Sequence, residues 1–162
     1  NLLDFLNDQS FRIVHILGDT LDPKFNNKKN KNYIPIAFTN EIAALMQNCD
    51  LVISRAGSGA INEIIKTKSP SILIPYPNAK NNHQEKNALI LSSIGCSIMI
   101  QQNKNLEINL KENLQRIFKI ESNNSKNQYK ILEIMKKNIS EFKFKDSRQE
   151  IKKIINYFTK NL

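Results

Sequence analysis

A doubly wound parallel α/β sheet with helices on both faces is the architecture this 162-residue sequence predicts. Three observations predict it. Apolar runs and amphipathic stretches alternate over the first hundred residues, at intervals that suit crossover connections. The runs are continuous rather than alternating, which is the pattern of strands covered on both faces. The stretch "ISRAGSGAINEI", residues 53 to 64, ends one such run in a glycine-containing turn and continues into a helix-forming segment.

The elements follow in order. "NLLDFLNDQS" places Leu2, Leu3 and Leu6 on one side of an amphipathic helix. It begins without methionine and already inside that helix, so a preceding segment is expected. "FRIVHILG" is an apolar strand closed by Gly18, "DTLDPKFNNKKNKN" a polar loop, and "YIPIAF" a second short strand. "NEIAALMQNC" carries Ile42, Leu45 and Met46 at helical spacing. "DLVISR" is a third strand and "GAINEIIKTK" the helix after the glycine turn. "SILIPYP" is a fourth strand whose trailing prolines end pairing. The polar "NAKNNHQEK" leads into a helix through "NALILSSIG", and "CSIMIQQ" is a fifth strand. From Leu106 the pattern turns helical, in "LEINLKENLQRIF", "KNQYKILEIMKKNI" and "SRQEIKKIINYF". These lysine-rich helices are expected to pack outside the sheet. No linker divides the chain, so residues 1–162 read as a single domain.

Composition narrows the function classes. No run of about 18 apolar residues occurs, so no segment is suited to span a bilayer, and the chain is expected to be soluble. Cys49 and Cys96 sit in apolar surroundings with no CxxC spacing, as small buried hydrophobes of a reducing compartment do. His15 and His83 lie far apart without further ligands at metal spacing, so no metal site is expected. The net charge of +9 comes mostly from lysines between Lys104 and Lys160, interleaved with glutamate and asparagine. No aromatic RNA-binding signature or zinc-finger spacing accompanies it. A solvated surface, or long-range attraction to an anionic membrane, accounts for it without nucleic acid.

In a doubly wound sheet ligands gather at the carboxyl ends of the strands. That rule brings Gly18, Phe38 and Thr39, Arg55 to Gly59, and Pro75 to Gln84 to one rim. The turn at a helix start suits a diphosphate, because the first backbone N–H groups of a helix lack internal partners. Glu63 is placed to accept two ribose hydroxyls or, equally, to be a solvated helix residue. In "HQEKN", His83, Gln84 and Asn87 offer hydrogen-bonding groups, with Gln84 and Asn87 on one side of a turn. The same stretch also reads as an ordinary polar helix start. Phe38 suits a base ring or the core.

Taken together, "DLVISRAGSGAINEI", "PSILIPYP", "HQEKNA" and "IGCSIMI" resemble the carboxyl-terminal domain of the MurG family of bacterial glycosyltransferases. The resemblance extends to "HILG", "AFTNEIAALMQNCDLVISR" and "DSRQEIKKII", and so covers essentially the whole chain. It implies one Rossmann-like half of a two-domain GT-B enzyme. That enzyme transfers GlcNAc from UDP-GlcNAc to lipid I, with inversion, to give lipid II for peptidoglycan. By the resemblance, backbone near Phe38 and Thr39 contacts uracil and Glu63 holds the ribose hydroxyls. Ser58, Gly59 and Ala60 lie at the sugar diphosphate, while Gln84 and His83 read the GlcNAc hydroxyls. Asn87 supports that loop or reaches the sugar. His83 stands where some relatives carry glutamine. Arg55 matches the motif and is expected to form a structural ion pair.

The resemblance implies no cofactor or metal and assigns no catalytic residue to this stretch. The family's GGSQGA loop would lie immediately before Asn1. The amino-terminal domain, with the lipid I site and the main membrane-binding patch, is likewise absent from the sequence, so the isolated chain is expected to be inactive. Location at the cytoplasmic face of the bacterial inner membrane follows from the resemblance. Two other readings stay open: the catalytic subunit of a dolichol-linked GlcNAc transferase, and a noncatalytic basic module binding nucleic acid or anionic lipid.

Overall fold

The computed structural model describes residues 2–8, 11–18, 32–118 and 130–142. The predicted loop after Gly18 and the last predicted helix, "SRQEIKKIINYF", fall outside them. The elements run α1 (Leu2–Asp8), β1 (Ile13–Ile16), β2 (Tyr33–Ile36), α2 (Ile42–Gln47), β3 (Val52–Ser54), α3 (Ser58–Thr67), β4 (Ser71–Leu73), α4 (His83–Ser93), β5 (Ser97–Met99), α5 (Leu106–Phe118) and α6 (Lys130–Glu141). A 3₁₀ turn, Lys80–Asn82, precedes α4.

All strand pairs are parallel. Among the described residues the hydrogen-bonded ladders are β1-β2 and β3-β4-β5, parallel as the predicted fold class requires. Among the described residues, β1 and β3 therefore each have one edge without a neighbour. Covering on both faces holds for β4, buried throughout, but not for β1. Its residues alternate in exposure, and Val14 at 39% and Ile16 at 40% remain half-open, as does Ile53 of β3 at 43%. An apolar run specifies a strand; the number of faces covered depends on neighbours that the run does not encode. Pro35 sits within β2, where a residue lacking an N–H is tolerated because β2 has a single strand partner among the described residues.

Two apolar layers sandwich β4, whose successive residues point to opposite faces. Leu73 joins Met46, Ile61, Ile64, Ile65, Ala88 and Leu91 from α2, α3 and α4. Ile72 joins Leu6, Leu110, Leu114, Ile117 and Leu132 from α1, α5 and α6. In α5 the buried residues Leu110, Leu114 and Ile117 follow helical spacing, as do Leu132, Met135 and Ile139 in α6. Burial of each such side chain contributes about 1.5–3 kcal/mol. The lysine-rich helices thus supply one wall of the core with their apolar stripes and leave their charges outside.

Ile139 belongs to the α2–α4 layer although its helix also serves the other. Two polar contacts pin that end of α6. Lys68, which closes α3 in the left-handed conformation at φ 56, donates from Nζ to the Ile139 carbonyl at 3.2 Å. Asn138 Nδ2 donates to the carbonyl of Gly95 at 3.2 Å. The strand ends carrying the candidate site lie at the carboxyl rim, where α3 and α4 begin.

Candidate functional site

The stretch after β3 makes the turn. Gly57 caps α3 in extended conformation, and the first intrahelical bond runs from Ile61 N–H to the Gly57 carbonyl, at 3.0 Å. The N–H groups of Ser58, Gly59 and Ala60 precede that bond and carry the positive end of the helix dipole. Neither Gly57 nor Gly59 has positive φ. A Cβ built on either one meets nothing within 4 Å. Conformation and packing therefore leave these glycines unexplained, and their bare backbone opens space directly over the unpaired donors.

Glu63 lies one turn into α3, half-buried, with its carboxylate 3.2 Å from Lys66 Nζ. The lysine side chain is 63% exposed. Such a surface pair is worth only about 0.2–0.5 kcal/mol. A ligand hydroxyl can displace it at little cost.

On the facing helix, Gln84 and Asn87 lie half-buried one turn apart in α4. Chemistry fixes the orientation of both amides. Gln84 Oε1 accepts from the backbone N–H of Tyr76 at 3.0 Å, and an N–H can only donate. Asn87 Nδ2 donates to the carbonyl of Ala56 at 3.0 Å, and a carbonyl can only accept. No other described group bonds the remaining atom of either amide. Gln84 thus offers an NH₂ donor and Asn87 an oxygen acceptor, while Asn87 also ties α4 to the glycine turn. His83 is exposed, its Nδ1 bonded to the Lys80 carbonyl at 2.8 Å. That bond puts the neutral imidazole proton on Nδ1 and leaves Nε2 as an acceptor. Asn81 and Asn82, just before α4, both hold left-handed backbone, at φ 55 and 53, a conformation asparagine tolerates better than most residues.

Phe38 follows β2 and is 70% exposed, so it is not a core residue. Thr39 Oγ1 accepts from Glu41 N–H at 2.9 Å, committing its hydroxyl to the start of α2. The expected ion pair of Arg55 is not found among the described residues. Arg55 Nη1 donates to the Ile74 carbonyl at 3.2 Å and to Gln102 Oε1, and its guanidinium lies 5.7 Å from the Tyr76 ring centroid. Among the described residues, neutral oxygens take the place of the carboxylate because the ends of β4 and β5 reach the arginine and no acidic side chain does. Tyr76, Gln101 and Gln102 received no role from the sequence, although the polar pair Gln101 and Gln102, one residue beyond β5, was the available signal. Gln101 Nε2 donates to Glu85 Oε1 at 2.8 Å, joining the last loop to α4.

Residues 2–156 match the family described as glycosyltransferase family 28 C-terminal domain. The chain is 58% identical over 158 residues to a UDP-N-acetylglucosamine--N-acetylmuramyl-(pentapeptide) pyrophosphoryl-undecaprenol N-acetylglucosamine transferase of Prochlorococcus marinus strain MIT 9312, covering 98% of this chain and 44% of the relative. An enzyme of the same name from Synechococcus sp. strain WH7803 is 34% identical over 116 residues, covering 72% of this chain and 32% of the relative. This chain thus spans under half the length of the curated relatives it matches. Among solved structures, MurG of Acinetobacter baumannii shares the fold at a TM-score of 0.74 and 18% identity, over 97% of this chain and 49% of that one. A kitacinnamycin glycotransferase shares it at 0.59 and 14% identity, over 86% and 35%. The sheet halves, the bare glycine turn and the near-complete family match converge, and the chain belongs to the glycosyltransferase family 28 C-terminal domain family.

Proposed function

We propose that this chain is the donor-binding half of an inverting transferase that moves GlcNAc from UDP-GlcNAc to lipid I, giving lipid II. The observation that carries the reading is the turn at Gly57 and Gly59. It joins unpaired helix N–H groups to open space that the protein neither fills nor needs for its own conformation. A sugar diphosphate fits that description in charge and shape.

Around it, Phe38 provides an exposed ring and neighbouring backbone for uracil, and Glu63 accepts the ribose hydroxyls in place of Lys66. The donor at Gln84 and the acceptor at Asn87 suit sugar hydroxyls, which need both. His83 Nε2 offers a further acceptor at the same helix start. The acceptor's 4-hydroxyl attacks the anomeric carbon while the bond to UDP breaks, so negative charge builds on the diphosphate. The N–H groups of Ser58, Gly59 and Ala60 stabilise the departing group. This half orients and activates the donor. The lipid I site and anionic membrane contact belong to the remainder of a full-length enzyme acting at the cytoplasmic face of the inner membrane. No helix among the described residues is long and apolar enough to cross a membrane.

An NMR titration of this chain with UDP-GlcNAc, against UDP-glucose and a Glu63→Ala variant, tests the reading. Saturable shifts around α3 and α4 that favour UDP-GlcNAc and weaken in the variant are expected. A folded chain that shows none at millimolar ligand rules out this half as a self-sufficient donor site.

A further inference from the structure

We propose that Arg55 is a positioning residue that acts through Tyr76 to hold the Gln84 amide in its donor orientation; this rests on the donor-binding reading above. The sheet ladder ends where the site begins. Its last backbone bonds join Ile74 N–H to Ser54 O and Ile100 N–H to Leu73 O, each at 2.9 Å. Beyond that line the loops after β3, β4 and β5 depend on side chains for their mutual placement. Arg55 is the first residue past β3, and its Nη1 reaches the carbonyl of Ile74, the first residue past β4, and Gln102 after β5. One cation thereby spans all three strand ends.

The same guanidinium lies over the ring of Tyr76, 5.7 Å from its centroid, and Tyr76 stands 46% exposed. A cation over an aromatic face is attracted by the ring quadrupole, more strongly for the planar guanidinium that can lie along it. Holding the ring holds the residue, and the N–H of Tyr76 is the group that engages Gln84 Oε1. Without that N–H the amide is free to rotate, exchanging donor for acceptor at the sugar. Arg55 thus influences sugar recognition without touching the sugar, while the turn that takes the diphosphate is tied to α4 separately, by Asn87.

The test compares UDP with UDP-GlcNAc by calorimetry, together with the side-chain amide proton signals of Gln84 in the ligand-free chain. Arg55→Ala is expected to leave UDP affinity within about twofold. It should abolish most of the extra affinity for UDP-GlcNAc and move or broaden the Gln84 signals. Tyr76→Ala should reproduce this, and Tyr76→Phe, which keeps ring and N–H, should not. Unchanged Gln84 signals in Arg55→Ala, or an intact sugar increment, overturn the proposal. If the unaltered chain does not distinguish UDP-GlcNAc from UDP, the donor reading fails, and the Gln84 signals alone then decide the positioning role.

Discussion

Gly59→Ala separates folding from binding in one substitution. The added methyl meets nothing within 4 Å, and Gly59 lies inside α3 with φ outside the positive range. Replacing a helical glycine by alanine stabilises by roughly 0.5–1 kcal/mol. Close to the helix start the lower figure applies, and for a chain of this size it raises Tm by about 1–2 °C. Binding should change in the opposite sense. A diphosphate lifted by one methyl loses at least one charge-assisted hydrogen bond, worth about 1.5–3 kcal/mol. Affinity for UDP-GlcNAc should therefore fall about ten- to hundredfold. Thermal unfolding by circular dichroism and titration calorimetry on the same sample measure the two effects. An unchanged dissociation constant would refute the placement of the diphosphate over this turn. A lowered Tm would show that the glycine serves the fold after all.

Three further outcomes follow from the packing. Gly95 combines φ of +68 with a prospective Cβ 2.6 Å from Asn138 Nδ2, so Gly95→Ala should destabilise by about 2 kcal/mol, from left-handed strain and the displaced Asn138 bond; denaturant titration checks this, and Gly95→Asn should cost less. The hydroxyls of Ser71 and Ser97 are buried without partners among the described residues, on strand positions paired in register, so the double alanine variant should be neutral or more stable by about 1–2 kcal/mol, and a drop in the denaturation midpoint would reveal a bond these hydroxyls make. Burial lowers the His15 pKa from 6.5; the unfolded chain therefore takes up its proton first as pH falls below that value, and stability present above it should decline until the folded-state pKa is passed. An imidazole titration followed by NMR should inflect below 6.5, and an inflection at or above it would contradict the burial effect.

Much of this molecule was legible in its residues. The apolar runs named the five strands found among the described residues, and the spacing in α5 and α6 named their buried stripes, because both follow from local period. The start of α4 was less legible: the polar "HQEK" read as a lead-in, whereas the helix begins at His83 after two left-handed asparagines. Candidate site residues could be proposed from the sequence, but the orientation of their polar groups could not. Gln84 takes its orientation from a backbone group 8 residues away and Asn87 from one 31 residues away, and no short-range pattern encodes either. Arg55 was expected beside a carboxylate for the same reason: the strand ends that reach it come together only in the folded chain.

The edges of β1 and β3 that lack a strand partner among the described residues carry a consequence for how this chain behaves in a tube. Val14, Ile16 and Ile53 stand half-open beside backbone groups without a strand partner among the described residues, which is the combination that invites a second molecule to add a strand. The net charge of +9 keeps copies apart at low ionic strength, and added salt removes that barrier within a Debye length of about 10 Å at 0.1 M. Self-association should therefore grow with salt rather than shrink, as sedimentation velocity would register, and a lysine at position 14 or 53 should suppress it. Dilute, low-salt solutions are the conditions in which the candidate donor site will be met as a property of single molecules.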